Sequence, residues 1–82
     1  MKEYAVNITL NGEVKIYDND HYDWYDAFEE AYAAAQEAMA DPETAEVDIM
    51  DCEDGDFGDL DLNLIREGGK VNEYRNGELC WL

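Results

Sequence analysis

Apolar and polar residues alternate along Tyr4-Ala5-Val6-Asn7-Ile8-Thr9 and again along Glu13-Val14-Lys15-Ile16-Tyr17, with Asn11-Gly12 between the two runs. Period-two alternation marks a half-buried strand and Asn-Gly marks a turn, so residues 4–17 predict a β-hairpin. A two-residue turn would set Ile8 against Lys15 and mix the faces. A three-residue loop of Leu10, Asn11 and Gly12 opposes Ile8 to Val14 and Val6 to Ile16, with Gly12 left-handed at a bulge. Asn7, Thr9, Glu13 and Lys15 then face outward.

The period changes after a polar turn at residues 18–23. Trp24, Phe28, Ala31, Ala35, Ala38 and Met39 recur at three- and four-residue spacing, the stripe of an amphipathic helix. Asp23 is its expected N-cap, with Asp26 three residues on, and Asp41-Pro42 its stop. The alanines imply close packing against a sheet. Period two returns in Ala45–Met50, with Val47 and Ile49 on one face and Glu46, Asp48 and Met50 on the other, and again in Leu60–Leu64. Between these runs, residues 51–59 read as a loop rich in acid and glycine. Residues 70–75 and 78–82, around Asn76-Gly77, predict a last hairpin. The pattern is that of an α+β domain over residues 1–82. It predicts an antiparallel sheet of about four to five strands in the order β-β-α-β-β-β, with one alanine-rich helix across one face. The expected core is Val6, Ile8, Val14, Ile16, Trp24, Phe28, Ala31, Ala35, Val47 and Ile49.

Charge changes this picture more than composition does. Of the 22 aspartates and glutamates, 17 lie in residues 16–65, where there is no lysine or arginine, while the flanking residues carry five acids and five bases that cancel. The formal charge of -17 therefore belongs to the middle of the chain. Unpaired like charges repel and destabilise the compact state, so the asymmetry points to function. Salt adaptation would spread acid over the whole chain, and solubility is served by a net charge of about 2–8 in a small domain. Hydrophobic content of 46% and ten aromatic residues exclude a disordered acidic tail. No apolar run reaches the ~18 residues of a membrane span and the N-terminus lacks a signal-peptide pattern, so a cytoplasmic location is expected.

Several kinds of chemistry fall away. The chain has no serine, two threonines and one histidine, His21, which sits among Asp18, Asp20 and Asp23 in a polar turn that favours its protonated form. No carboxylate pair stands out for acid-base work and a small domain leaves little room for a deep cleft, so no enzyme is expected. Cys52 and Cys80 fit neither a C-x-x-C nor a four-ligand zinc pattern and are expected as reduced, packed thiols. An EF-hand requires oxygen ligands at positions 1, 3 and 5 with glycine at 6. Neither Gly55 nor Gly58 at position 6 satisfies this. No metal or cofactor is expected, although Asp51, Glu53, Asp54 and Asp56 leave open a weak divalent-cation module as the alternative.

The sign of the charge repels nucleic acid and anionic membranes and attracts basic protein surfaces. A compact domain of this length has a radius of gyration of about 12 Å, hence a diameter of roughly 30 Å. Duplex DNA of that length carries about 18 phosphates. The protein's charge is of the same size. Carboxylates accept the same bidentate arginine bonds as phosphates, and Tyr22, Tyr25, Tyr32 and Phe57 lie near the acids as possible anchors.

In its small α+β make-up, alanine-rich helix and concentrated acid from Asp18 to Asp61, the chain resembles a class of acidic inhibitors. These are the small proteins by which phages and mobile elements block host DNA-binding machinery, among them anti-CRISPR and anti-restriction proteins. The resemblance implies a non-enzymatic DNA mimic that occupies the DNA-binding or PAM-reading surface of a CRISPR effector. An immunity-type nuclease inhibitor of the barstar kind shares the same make-up. The expected partner is a basic DNA- or RNA-binding protein. The expected contact residues are Asp20, Asp23, Asp26, Glu29, Glu30, Asp51, Glu53, Asp54, Asp56, Asp59 and Asp61.

Overall fold

In a computed structural model, which describes residues 2–76 and 78–80, the chain forms β1 (Lys2–Leu10), a 3-10 turn (Asn19–His21), β2 (Tyr22–Tyr25) and α1 (Phe28–Met39). These are followed by β3 (Thr44–Glu53), β4 (Asp56–Glu67), β5 (Lys70–Arg75) and β6 (Glu78–Cys80). The strands make one antiparallel sheet in the order β2-β1-β3-β4-β5-β6, and α1 packs across one face, giving an α+β fold. Its radius of gyration is 12.1 Å.

The alternation in β1 and β3 sets the core. Val6, Val47, Ile49, Leu62 and Leu64 point to the helix side, where they meet Ala31, Ala35 and Met39. The small alanines let the helix backbone approach the sheet, and Tyr4, Tyr25, Phe28 and Tyr32 close the margins of this core. Five residues of the expected core are buried there, and Phe28 packs at its edge.

The first hairpin does not form. Residues 13–17 are irregular, Val14 is 85% exposed and Ile16 is also exposed, so these two leave the expected core. Gly12 is left-handed at φ 83° in a turn closed by Glu13 N–H donating to Leu10 C=O at 3.1 Å, but Asn11 keeps a negative φ. The turn therefore lacks the primed geometry that matches strand twist in a tight hairpin. Asn11 is also drawn away: its N–H donates to Glu43 C=O at 2.8 Å and its Nδ2 to Pro42 C=O at 3.1 Å. Residues 11–21 run as a strap over the face of the sheet opposite the helix. Asn7 and Thr9, expected outside, are buried beneath it, and Asn7 Nδ2 donates to Ile16 C=O at 3.0 Å.

Tyr22–Tyr25 takes the place beside β1, with Val6 opposite Asp23 and Tyr4 opposite Tyr25. Asp23 and Trp24 are thus strand residues, and the helix starts at Phe28 with Ala27 as an N-cap that offers no side-chain bond. Three aromatics in four residues favour an extended, half-buried backbone over a first helical turn. Ile8 and Trp24, both expected in the core, are exposed. The end of the helix falls as expected, at Met39 before Asp41-Pro42.

Most of the expected acidic loop is sheet. Asp54-Gly55 carries positive φ at both residues, 52° and 85°, which is the type I′ geometry of a two-residue hairpin, and it joins Glu53 to its partner Asp56. Gly68-Gly69, at 56° and 80°, repeats the device between Glu67 and Lys70. The last hairpin is present as β5 and β6, with Arg75 opposite Glu78. Its expected Gly77, Trp81 and Leu82 lie outside the described residues. Cys52 is buried and free.

Candidate binding surface

The register brings two groups of acids to one end of the sheet. Tyr4 lies opposite Tyr25 on one side and Asp51 on the other, and its ring meets Phe28 edge-on at 5.6 Å. The end of β2, the start of α1 and the β3–β4 hairpin therefore share that end. Asp26, Glu29 and Glu30 come from the β2–α1 junction, and Asp51, Glu53, Asp54 and Asp56 from the hairpin. Glu29 and Glu30 also occupy the first turn of the helix, where the positive end of its dipole stabilises them. Asp23 stands further along β2, level with Val6, and Asp20 precedes that strand in the 3-10 turn. The structure thus gathers most of the expected contact residues and leaves these two to one side.

Asp51, Asp59 and Asp61 form a distinct arrangement. Asp51 Oδ1 accepts the backbone N–H of Asp59 at 3.0 Å, and Lys2 Nζ stands 3.8 Å from Asp51 Oδ2. Gly58 lies beneath: a Cβ there would stand 2.0 Å from Asp51 Oδ1. Burial, followed by the Asp51 carboxyl beside it, pushes the Asp61 carboxyl up to about 6. Asp51 and Asp61 are half-buried and engaged, so they are weaker candidates for contact than the exposed Glu53, Asp54 and Asp56.

Cations are largely occupied inside the fold. Arg66 donates from Nη2 to Met39 C=O at 2.6 Å and Asp41 C=O at 3.2 Å, and from Nε to Thr44 C=O at 3.0 Å, which satisfies the carbonyls where α1 ends. Arg75 Nε donates to Glu73 Oε2 at 3.0 Å. Lys15 contacts Glu46 and lies 3.5 Å from Asp48 Oδ2. Sixteen of the 22 acids are exposed.

The face opposite the helix holds a second feature that the sequence pattern did not single out. Asp48 is 0% exposed beneath the strap, and Tyr17 Oη donates to its Oδ2 at 3.1 Å. Burial and then the neighbouring Glu46 push the Asp48 carboxyl up to about 7. Burial opposes the ionised form of Glu46 too, but hydrogen bonding with Asp48 and Lys15 holds that carboxyl low. Lys15 is raised: burial opposes its charge, and Glu46 and Asp48 more than compensate. His21 is solvent-exposed, with Nδ1 2.6 Å from Asp18 Oδ1, a contact that raises the imidazole and lowers the carboxyl.

The expected aromatic anchors divide. Tyr25 and Tyr32 belong to the margin of the core, Tyr32 donating to Glu73, and Tyr22 is buried. Phe57 is exposed, and beside it stands Trp24, which the sequence pattern had placed in the core, while Tyr17 is exposed next to Tyr22.

A groove of about 430 Å³ lies between α1 and β1, with Val6, Ile8 and Leu10 below and Asp23, Glu37 and Asp41 at its rim. Among the described residues no three histidine, cysteine or acidic side chains converge as a metal cage. No helix among them is long and apolar enough to cross a membrane. Comparisons with protein-family models, curated proteins and solved structures find no match.

Proposed function

We propose that the protein is a non-enzymatic inhibitor that presents DNA-like charge and occupies the basic nucleic-acid-binding surface of a host defence complex, with a CRISPR effector as the first target to test. The observation that carries this reading is the fate of the charges. Arg66, Arg75 and Lys15 are engaged within the fold, whereas sixteen acids remain in solvent. The long dimension of 37 Å equals a stretch of duplex carrying roughly 22 phosphates, so the exposed acids approach the linear charge density of DNA. The strongest contact region in this reading is the end of the sheet bearing Asp26, Glu29, Glu30, Glu53, Asp54 and Asp56.

The test combines a sixfold charge reversal with competition. The wild-type protein is expected to retain a DNA-binding complex from host lysate at about 50 mM salt, to release it on addition of duplex DNA, and to bind it more weakly at about 200 mM. The variant with those six acids changed to lysine should lose this binding while its circular dichroism and cooperative melting persist. Undiminished retention by the folded variant, or retention that duplex DNA leaves untouched, overturns the proposal.

A further inference from the structure

We infer that Trp24 and Phe57 form a seat for an arginine side chain of the basic partner, an inference that rests on the inhibitory reading above and names its anchor. The seat is built by sheet register. On the face opposite the helix, Ala5 stands between Trp24 of β2 and Met50 of β3, and Cys52 lies opposite Phe57. The small Ala5 side chain leaves this face of β1 open to rings carried by β2 and β4. Tyr22, Trp24 and Phe57 meet there with centroids 5.1 to 6.1 Å apart, covering Ala5 and Cys52, and Tyr22 Oη points to Met50 Sδ at 3.6 Å.

Covering these residues does not consume the rings. Trp24 remains 38% exposed and Phe57 40%, with Tyr17 also exposed beside Tyr22. Asp18 lies near Tyr22 on the strap side of the cluster, and Asp26 and Asp54 are exposed on the segments that carry Trp24 and Phe57, whereas the register turns Asp23, Glu53 and Asp56 to the helix side. Lys15, which reaches this face under the strap, is held by Glu46 and Asp48.

An open π surface on a protein of net charge -17 is complementary to a guanidinium. That group is planar and weakly hydrated, stacks on aromatic faces and takes carboxylates in a fork, whereas an ammonium is compact and strongly hydrated. The protein already uses this combination once. Arg75 lies over the Tyr32 ring at 6.0 Å while its Nε donates to Glu73. The Trp24–Phe57 seat offers open rings within the field of an acidic protein to an arginine from outside, and arginine is abundant where proteins grip phosphate.

The probes are an eight-arginine and an eight-lysine peptide amide, titrated into the full chain by calorimetry at about 50 mM salt. The wild type should prefer the arginine peptide. In the variant W24L/F57L, which keeps apolar bulk but removes the rings, arginine-peptide affinity should fall about three- to tenfold, with lysine-peptide affinity changed less than about twofold. Circular dichroism checks the fold, and the single variant F57L, at an exposed hairpin position, is read in place of a double variant that does not fold. An arginine preference that survives removal of the rings, or equal affinity of the wild type for both peptides, overturns the seat alone. Failure of both peptides to bind the wild type overturns the seat together with the inhibitory reading.

Discussion

Replacing Asp48 by asparagine should stabilise the protein at alkaline pH and do little at acid pH. The carboxyl is wholly buried, and its pKa stands at about 7 against an ordinary 3.8. A carboxyl raised on folding binds its proton more tightly in the native state, so stability falls as pH climbs from about 4 to about 7 and then levels. The raised value corresponds to a ceiling of roughly 4 kcal/mol. Glu46 shifts the opposite way and removes part of this. An amide also keeps an acceptor for Tyr17 and leaves Lys15 its contact with Glu46. D48N is therefore expected to gain about 1–3 kcal/mol over wild type at pH 8, shrinking to within about 0.5 kcal/mol at pH 4. Urea denaturation of both proteins between these pH values, followed by circular dichroism, measures the difference directly. Comparing the two at each pH cancels the general repulsion of the acidic surface and the separate titration of Asp61. Destabilisation by D48N at pH 8, or a difference independent of pH, would show that Lys15 and Tyr17 stabilise the ionised Asp48 and refute the reasoning.

Two glycine variants separate crowding from backbone strain. Gly58→Ala should cost about 1–3 kcal/mol, because the new methyl meets Asp51 Oδ1 and displaces it from the Asp59 N–H, a loss readable in denaturant midpoint. Gly55→Ala meets no atom but must hold φ near 85°, so about 1–2 kcal/mol is expected from strain alone, with hydrogen exchange increasing first at the β3–β4 turn. Arg66→Lys should lower stability by about 2–3 kcal/mol in thermal or urea melts despite conserving charge, since a single ammonium does not reproduce the guanidinium fork to three carbonyls.

Most of the helix and of the later strands was legible in period alone. The face assignments of Val47 and Ile49 and the positions of Ala31 and Ala35 needed nothing further. The first hairpin misled because Val14 and Ile16 alternate like strand residues, while the bonds that decide their fate run from Asn11 to Glu43 and Pro42, more than thirty residues away. Trp24 fitted the helical stripe by spacing, yet its neighbours Tyr22 and Tyr25 supplied a stronger extended preference and β1 offered an unfilled edge. The acid loop concealed its own signal: Asp54-Gly55 is a primed-turn dipeptide, obscured because the flanking acids break hydrophobic alternation. Among the site residues, the contiguity of charge was visible in the chain, but the pairing of Asp51 with Asp61 and the burial of Asp48 depend on register and on the strap, which no local pattern encodes.

The position of β1 between β2 and β3 has a kinetic consequence. The two-residue turns at Asp54-Gly55 and Gly68-Gly69, and the pairing of β5 with β6, let β3, β4, β5 and β6 associate through contacts close in sequence, which form in roughly microseconds. β1 has only the four-residue β2 as a near neighbour, and its nine-residue pairing with β3 closes a loop of more than thirty residues that includes the whole helix. Long closures are slow and come late. During synthesis β1 therefore waits, its apolar residues Val6 and Ile8 without their main partner, until residues 44–53 have left the ribosome. The acid that follows it keeps such nascent chains apart in the meantime, so the charge that defines the finished surface also guards the unfinished one.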